Sequence, residues 1–206
     1  MAGNLIIISA PSGAGKTTIV NEVLRRLAGV RDSISYTSRL PRGGEENGQD
    51  YHFVTCAEFE TMIARNELLE WAEVHGNLYG TSRVYVSEML AAGLDVILTI
   101  DVQGAALTRR LFPSAVSGFI LPPSYEVLIE RLNLRDAGQI EAVRLCNAET
   151  ELEQYKHYDN LIVNEELEAA VQEFTAIIRA ARCRRSGRAA AAEMILDHFR
   201  RNLRHG

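Results

Sequence analysis

A chain of 206 residues can bury one good core with small insertions, and it is too short for two independent domains. Its 47% hydrophobic and 24% charged residues are ordinary globular values, which argue against a long disordered tract. The net charge of −5 is uneven: between residues 182 and 206 seven arginines face only Glu193 and Asp197, a local +5 that leaves −10 for residues 1–181, and so acidic a body is a poor nucleic-acid surface.

In chain order, Leu5 to Ile8 is an unbroken apolar run of strand length, followed by the glycine turn Ala10-Pro11-Ser12-Gly13-Ala14-Gly15-Lys16-Thr17. Ile19, Val20, Val23, Leu24 and Leu27 then recur at helical spacing until Gly29. Ile34 to Thr37 alternates, Ser38 to Asp50 reads as a loop, and Tyr51 to Val54 resumes a strand pattern. A helix is expected from about Ala57, a strand over Leu68 to Val74, a turn at Gly76-Asn77, a strand over Leu78 to Thr81, and a short helix ending at Gly93. Short strands joined by small turns suggest an antiparallel insert of about 50 residues on a parallel core. Val96 to Ile100 and Val116 to Leu121 are further buried strands. Helical periodicity follows through Tyr125 to Leu134 and Ile140 to Tyr155, then a strand at Leu161 to Val163 and a helix over Leu167 to Arg182. A basic amphipathic helix beginning near Ala189 ends the chain and reads as a solvated terminal helix or a subunit contact, the latter a route to a homo-oligomer, rather than as a nucleic-acid element.

The fold class this predicts is α/β: a P-loop NTPase-type doubly wound parallel sheet with a small antiparallel insert. The expected division is a core of residues 1–34, 94–124 and 158–183, an insert of 35–93, a second, helical interruption of 125–157 and a tail of 184–206. Cys56, Cys146 and Cys183 suggest neither a disulfide framework nor a zinc site, and no run approaches the roughly 18 apolar residues of a membrane span, so a soluble cytoplasmic protein is expected.

The glycine turn carries the first chemistry. Gly13 and Gly15 let the backbone curl its NH groups around an anion in front of the positive end of the following helix. Ala10 through Thr17 is therefore the candidate ATP site, in the sense of the G-x-x-x-x-G-K-[ST] pattern with Ala10 at its first glycine. Lys16 would reach the outer phosphates, and the Thr17 hydroxyl a Mg²⁺ ion carried with ATP.

A second constellation lies further on. Thr37-Ser38-Arg39, Arg42, Glu45, Gly48, Tyr51, Phe53 and Val54 resemble the signature of guanylate kinases. The similarity continues through Leu69-Glu70-Trp71-Ala72, Gly76 to Thr81, Ile100 to Gly104, Leu121-Pro122-Pro123-Ser124 and Leu161 to Asn164, covering about Asn4 to Arg182. The resemblance implies transfer of the γ-phosphoryl group of ATP to GMP, with dGMP as a further acceptor. It implies Arg39, Arg42, Tyr51 and Tyr79 around the acceptor phosphate, and Ser35, Glu70, Thr81 and Asp101 around the base. Catalysis would rest on Lys16, Arg39, Arg42 and the lid arginines Arg131, Arg135 and Arg144. Two positions depart from the family pattern: Thr99 stands where an Asp is usual near the metal shell, and Leu134 and Asp136 flank Arg135 where glycines are usual. A catalytically silent binding module, a kinase of a phosphorylated sugar and a regulatory nucleotide hydrolase are the competing readings.

Overall fold

The computed structural model describes residues 2–74, 76–135 and 148–203. Strand β1 (Leu5–Ser9) is buried at every position and runs through the middle of a five-stranded, wholly parallel sheet of order β2-β7-β1-β8-β9. Its neighbours are β7 (Asp95–Thr99), in register Ile6↔Ile97, and β8 (Val116–Leu121), in register Ile6↔Val116. The outer strands are β2 (Val30–Asp32) and β9 (Asn160–Val163).

Successive side chains of β1 point to opposite faces, so one run of four apolar residues serves two cores. Ile6 and Ile8 pack with Val20 and Val23 of helix α1 (Lys16–Arg26) and with Phe174 and Ile178 near the end of the chain. Leu5 and Ile7 face the other way, toward Leu69, Val86 and Ala105. Each such fully buried side chain contributes roughly 1.5–3 kcal/mol relative to exposure.

The second sheet, of order β4-β3-β6-β5, is built from β3 (Tyr36–Thr37), β4 (His52–Phe53), β5 (Leu68–Val74) and β6 (Asn77–Ser82). It is mixed, which corrects the all-antiparallel expectation: β3 pairs antiparallel with β6 but parallel with β4. The long loop between β3 and β4 is the reason, since it lets the chain return to the start of its neighbour before pairing. Helices α2 (Cys56–Ala64) and α3 (Arg83–Ala91) complete this region.

Two elements escape the sequence reading. Helix α4 (Val102–Leu111) fills the interval between β7 and β8, N-capped by Asp101, whose Oδ1 accepts from the Gln103 and Gly104 backbone N–H groups at 2.6 and 3.2 Å. Strand β2 has only one apolar residue and exists because β7 offers it a free edge. The segment expected to be a lid begins as helix α5 (Tyr125–Arg135), and its predicted second half falls largely on residues outside the described ones, which resume with a short helical end and a 3₁₀ turn at Glu153–His157. Helix α6 (Leu167–Arg182) returns to the core, and α7 (Arg185–Leu203), which starts earlier than Ala189, carries Met194, Ile195, Phe199 and Leu203 exposed. Among the described residues no helix is long and apolar enough to cross a membrane.

Candidate active site

A cleft of about 740 Å³ opens at the carboxyl ends of β1 and β7, where an open parallel sheet presents its ligand sites. One wall is the turn from β1 to α1. Gly13 and Gly15 take φ of 87° and 92°, which an L side chain adopts only under strain, whereas Ala10 has no such backbone and needs no glycine. Helix α1 begins at Lys16 with no side-chain cap and no acidic residue in its first turn, leaving its N–H groups and positive end to the cleft.

The turn is braced from behind. Asn164, beyond β9, donates from Nδ2 to the Ala14 carbonyl at 2.7 Å, and a Cβ at Gly15 would lie 2.3 Å from that same nitrogen. Leu132 and Leu128 of α5 close in on Gly13, where a Cβ would lie 3.0 and 3.1 Å from their side chains. Arg131 lines the cleft and donates to the Asn164 carbonyl at 3.1 Å and, at 3.5 Å, to that of Ala14, so in this state its guanidinium is held by the phosphate-loop backbone and its brace.

Lys16 lies along the cleft floor, with Nζ 3.3 Å from the Ile100 carbonyl. Burial pushes its ammonium below the ordinary lysine range, and the negative charges of Asp101, Glu151 and Asp32 oppose that shift. A cation surrounded by carboxylates at the head of a helix is arranged to meet an incoming polyanion.

The facing wall comes from the second sheet. Glu70 on β5 sits where the β5–β6 register shifts between Leu68 and Trp71, and it is only 6% exposed. Its Oε1 accepts from the Thr81 hydroxyl at 2.6 Å, and its Oε2 lies so close to Gly104 of α4 that a Cβ there would come within 2.7 Å. Burial raises the carboxyl to about 7, helped by the nearby Asp101 charge and opposed by the Thr81 hydrogen bond. A buried carboxylate with unused lone pairs facing a cleft is a site for paired N–H donors.

Above it, Arg39 forks onto Glu45 at 2.8 and 2.9 Å and donates from Nε to the Tyr79 hydroxyl at 3.2 Å. This bidentate pair holds the Glu45 carboxyl below its usual range and the Arg39 guanidinium above its own. Tyr51 packs edge-on to Tyr79, with ring centroids 5.8 Å apart, beneath the Arg39 guanidinium.

The fold thus brings most of the predicted residues to one cavity: Ala10, Pro11, Ser12, Gly13, Gly15, Lys16 and Thr17 with Arg131 on one side, and Ser35, Arg42, Tyr51, Glu70, Tyr79 and Asp101 on the other. Three lie behind its walls. Ala14 is buried and contributes backbone, Thr81 is buried and spends its hydroxyl on Glu70, and Arg39 is turned to Glu45. The side chain of Arg135 and all of Arg144 and Asp136 lie outside the described residues. Sequence alone gives Glu151, Asn164 and Gly104 no role. Their tasks come from tertiary placement: Gly104 against Glu70, Asn164 against the phosphate loop, and Glu151 in the cleft lining within electrostatic reach of Lys16.

The cleft joins an uncapped helix start to a buried carboxylate, and the chain that carries it is similar to known proteins. A family model described as guanylate kinase matches residues 2–181. The chain is 51% identical over 182 residues to a guanylate kinase of Dechloromonas aromatica, covering 87% of this chain and 90% of that one. It is 47% identical over 199 residues to one of Vibrio parahaemolyticus, covering 95% and 96%. A crystal structure of guanylate kinase from Anaplasma phagocytophilum superposes with a TM-score of 0.73 at 34% identity, covering 87% and 86%. With the phosphate loop, the Glu70 wall and the mixed second sheet all inside the matched span, the chain belongs to the guanylate kinase family.

Proposed function

We propose that this protein transfers the γ-phosphoryl group of ATP to GMP, giving ADP and GDP, with dGMP as an alternative acceptor. The single observation that carries the reading is the buried Glu70 carboxylate across the cleft from the Lys16 phosphate loop. In this reading the second sheet is the acceptor subdomain, residues 35–93, and residues 125–157 are the lid.

The acceptor is a phosphate monoester whose second pKa is near 6, so its attacking oxygen is already anionic and no strong base is required. That oxygen bonds to the γ-phosphorus as the β–γ bridging bond breaks, and ADP departs with the bridging oxygen. What the chain must supply is alignment and neutralisation of two polyanions. Lys16 meets the outer phosphates of ATP, while Arg42 and the hydroxyls of Tyr51 and Tyr79 receive the GMP phosphate. Arg39 joins them by exchanging the Glu45 carboxylate for phosphate. Ser35 and Asp101 stand near the base beside Glu70, and Thr81 acts through Glu70. Mg²⁺ suits the residues present, because Thr17 exposes its hydroxyl at the head of α1 and Asp101 faces the same cleft. Bound with ATP it would neutralise phosphate charge, held by Thr17 and by water rather than by a protein cage.

ADP release measured in a coupled assay with GMP, AMP or no acceptor tests the function. Release that depends on GMP supports it, release without acceptor indicates a hydrolase, and none under any condition indicates a silent binding module.

Arg131 supports a second expected outcome. Its contacts with the Asn164 and Ala14 carbonyls must be exchanged for phosphate on closure, so Arg131→Ala should lower kcat by about 10²-fold while changing KM for GMP only a few-fold. Steady-state kinetics check this, and Arg135 and Arg144 are proposed to act in the same way.

A further inference from the structure

The ends of β2 and β7 carry an unusual distribution of charge. At the end of β7 the cleft-lining residue is Thr99, a neutral group where the resemblance leads one to expect a carboxylate. One strand outward, β2 ends in Asp32, brought alongside by the parallel register Val30↔Asp95 and Asp32↔Ile97. The Thr99 hydroxyl lies 3.4 Å from Asp32 Oδ1, a long hydrogen bond that points its proton away from the cleft. Asp32 is itself half-buried and lies within electrostatic reach of Lys16. Among the described residues no Lys or Arg forms an ion pair with it.

A hydroxyl that donates to a carboxylate behind it keeps its own lone pairs for the cleft. Such a polarised acceptor suits a metal-bound water, which is a strong donor. Mg²⁺ dehydrates reluctantly and keeps several waters, so the groups that accept from those waters tune its affinity.

We infer that Asp32, acting through the Thr99 hydroxyl, is a positioning residue for the water shell of nucleotide-bound Mg²⁺, a carboxylate task carried by β2 rather than β7. The inference rests on the reading of the cleft as an ATP site. Asp32 touches neither nucleotide nor metal and takes no part in the bond-making step.

Mn²⁺ is the probe, with its affinity for the protein–ATP complex read by electron paramagnetic resonance in the absence of GMP. Asp32→Asn should weaken Mn²⁺ about 10-fold, and Thr99→Val similarly, while ATP binding in EDTA stays within about twofold of wild type. Introducing Thr99→Asp into Asp32→Asn returns a carboxylate to β7 and should restore Mn²⁺ affinity to within about threefold, a rescue that a merely structural role for Asp32 would not give. Unchanged Mn²⁺ affinity in Asp32→Asn and Thr99→Val, or no rescue by Thr99→Asp, overturns the inference and leaves the ATP site standing. Wild-type protein that binds ATP neither in EDTA nor with Mn²⁺ overturns the ATP site and the inference with it.

Discussion

AMP should be phosphorylated at least about 10⁴-fold less efficiently than GMP, and Glu70→Gln should remove most of that preference. Guanine offers a ring N–H and an exocyclic amine side by side, where adenine presents a bare ring nitrogen that would face the Glu70 carboxylate acceptor to acceptor. Thr81 and Gly104 hold Glu70 rigidly, so the site cannot adapt to the wrong base. An amide at 70 keeps one acceptor and sets an NH₂ against a donor, so GMP suffers and ATP binding does not. IMP, which retains the ring N–H alone, should fall between.

The raised Glu70 pKa adds a pH signature. Accepting both guanine donors requires the ionised form, so with a pKa of about 7 apparent GMP affinity should fall roughly tenfold between pH 8 and pH 6. Glu70→Gln should flatten this dependence, separating it from titration of the GMP phosphate. The linkage to stability runs the same way. A native pKa raised from 4.5 to about 7 means the folded state binds more protons than the unfolded state across that window, so stability falls as pH rises through it. Glu70→Gln should therefore gain up to roughly 3 kcal/mol at pH 8 and nearly nothing at pH 4, measurable by urea unfolding at the two pH values. A variant that keeps full GMP preference would show that Glu70 does not read the base.

Lys16→Ala should lower kcat by about 10³-fold or more while leaving the protein folded. Its ammonium lies on the cleft floor, hydrogen-bonded to the Ile100 carbonyl at 3.3 Å, and a phosphoryl group in flight would draw it away. The loop itself does not depend on it, since the Ala14 N–H donates to the Pro11 carbonyl at 3.2 Å and Asn164 holds the Ala14 carbonyl. Losing a partly desolvated cation should leave thermal stability unchanged or slightly higher. Lys16→Arg should not restore turnover, because a planar guanidinium cannot replace a compact ammonium in that space. An alanine variant with near-normal turnover would remove Lys16 from the mechanism.

Much of this protein was determined by local sequence. An isoleucine run flanked by turn residues can settle only as a doubly buried strand, and the glycines that follow can only be a turn with positive φ, so β1, the phosphate loop and α1 follow from neighbours in the chain. The helices at 56–64, 83–91 and 167–182 follow likewise from periodicity. Tertiary structure decided what depends on distant partners. Strand β2 exists because β7 leaves an edge open, and the insert is mixed because a long loop carries β4 to the far side of β3. Asp101 both caps α4 and faces the cleft, a division of tasks that only the folded chain displays. Arg39 meets Glu45, Thr81 turns to Glu70, and Asp32 comes to stand beside Thr99, 67 residues apart in sequence. A side chain's type states what it can donate, accept or neutralise, and only the packing of strands from separate parts of the chain states against which group it does so.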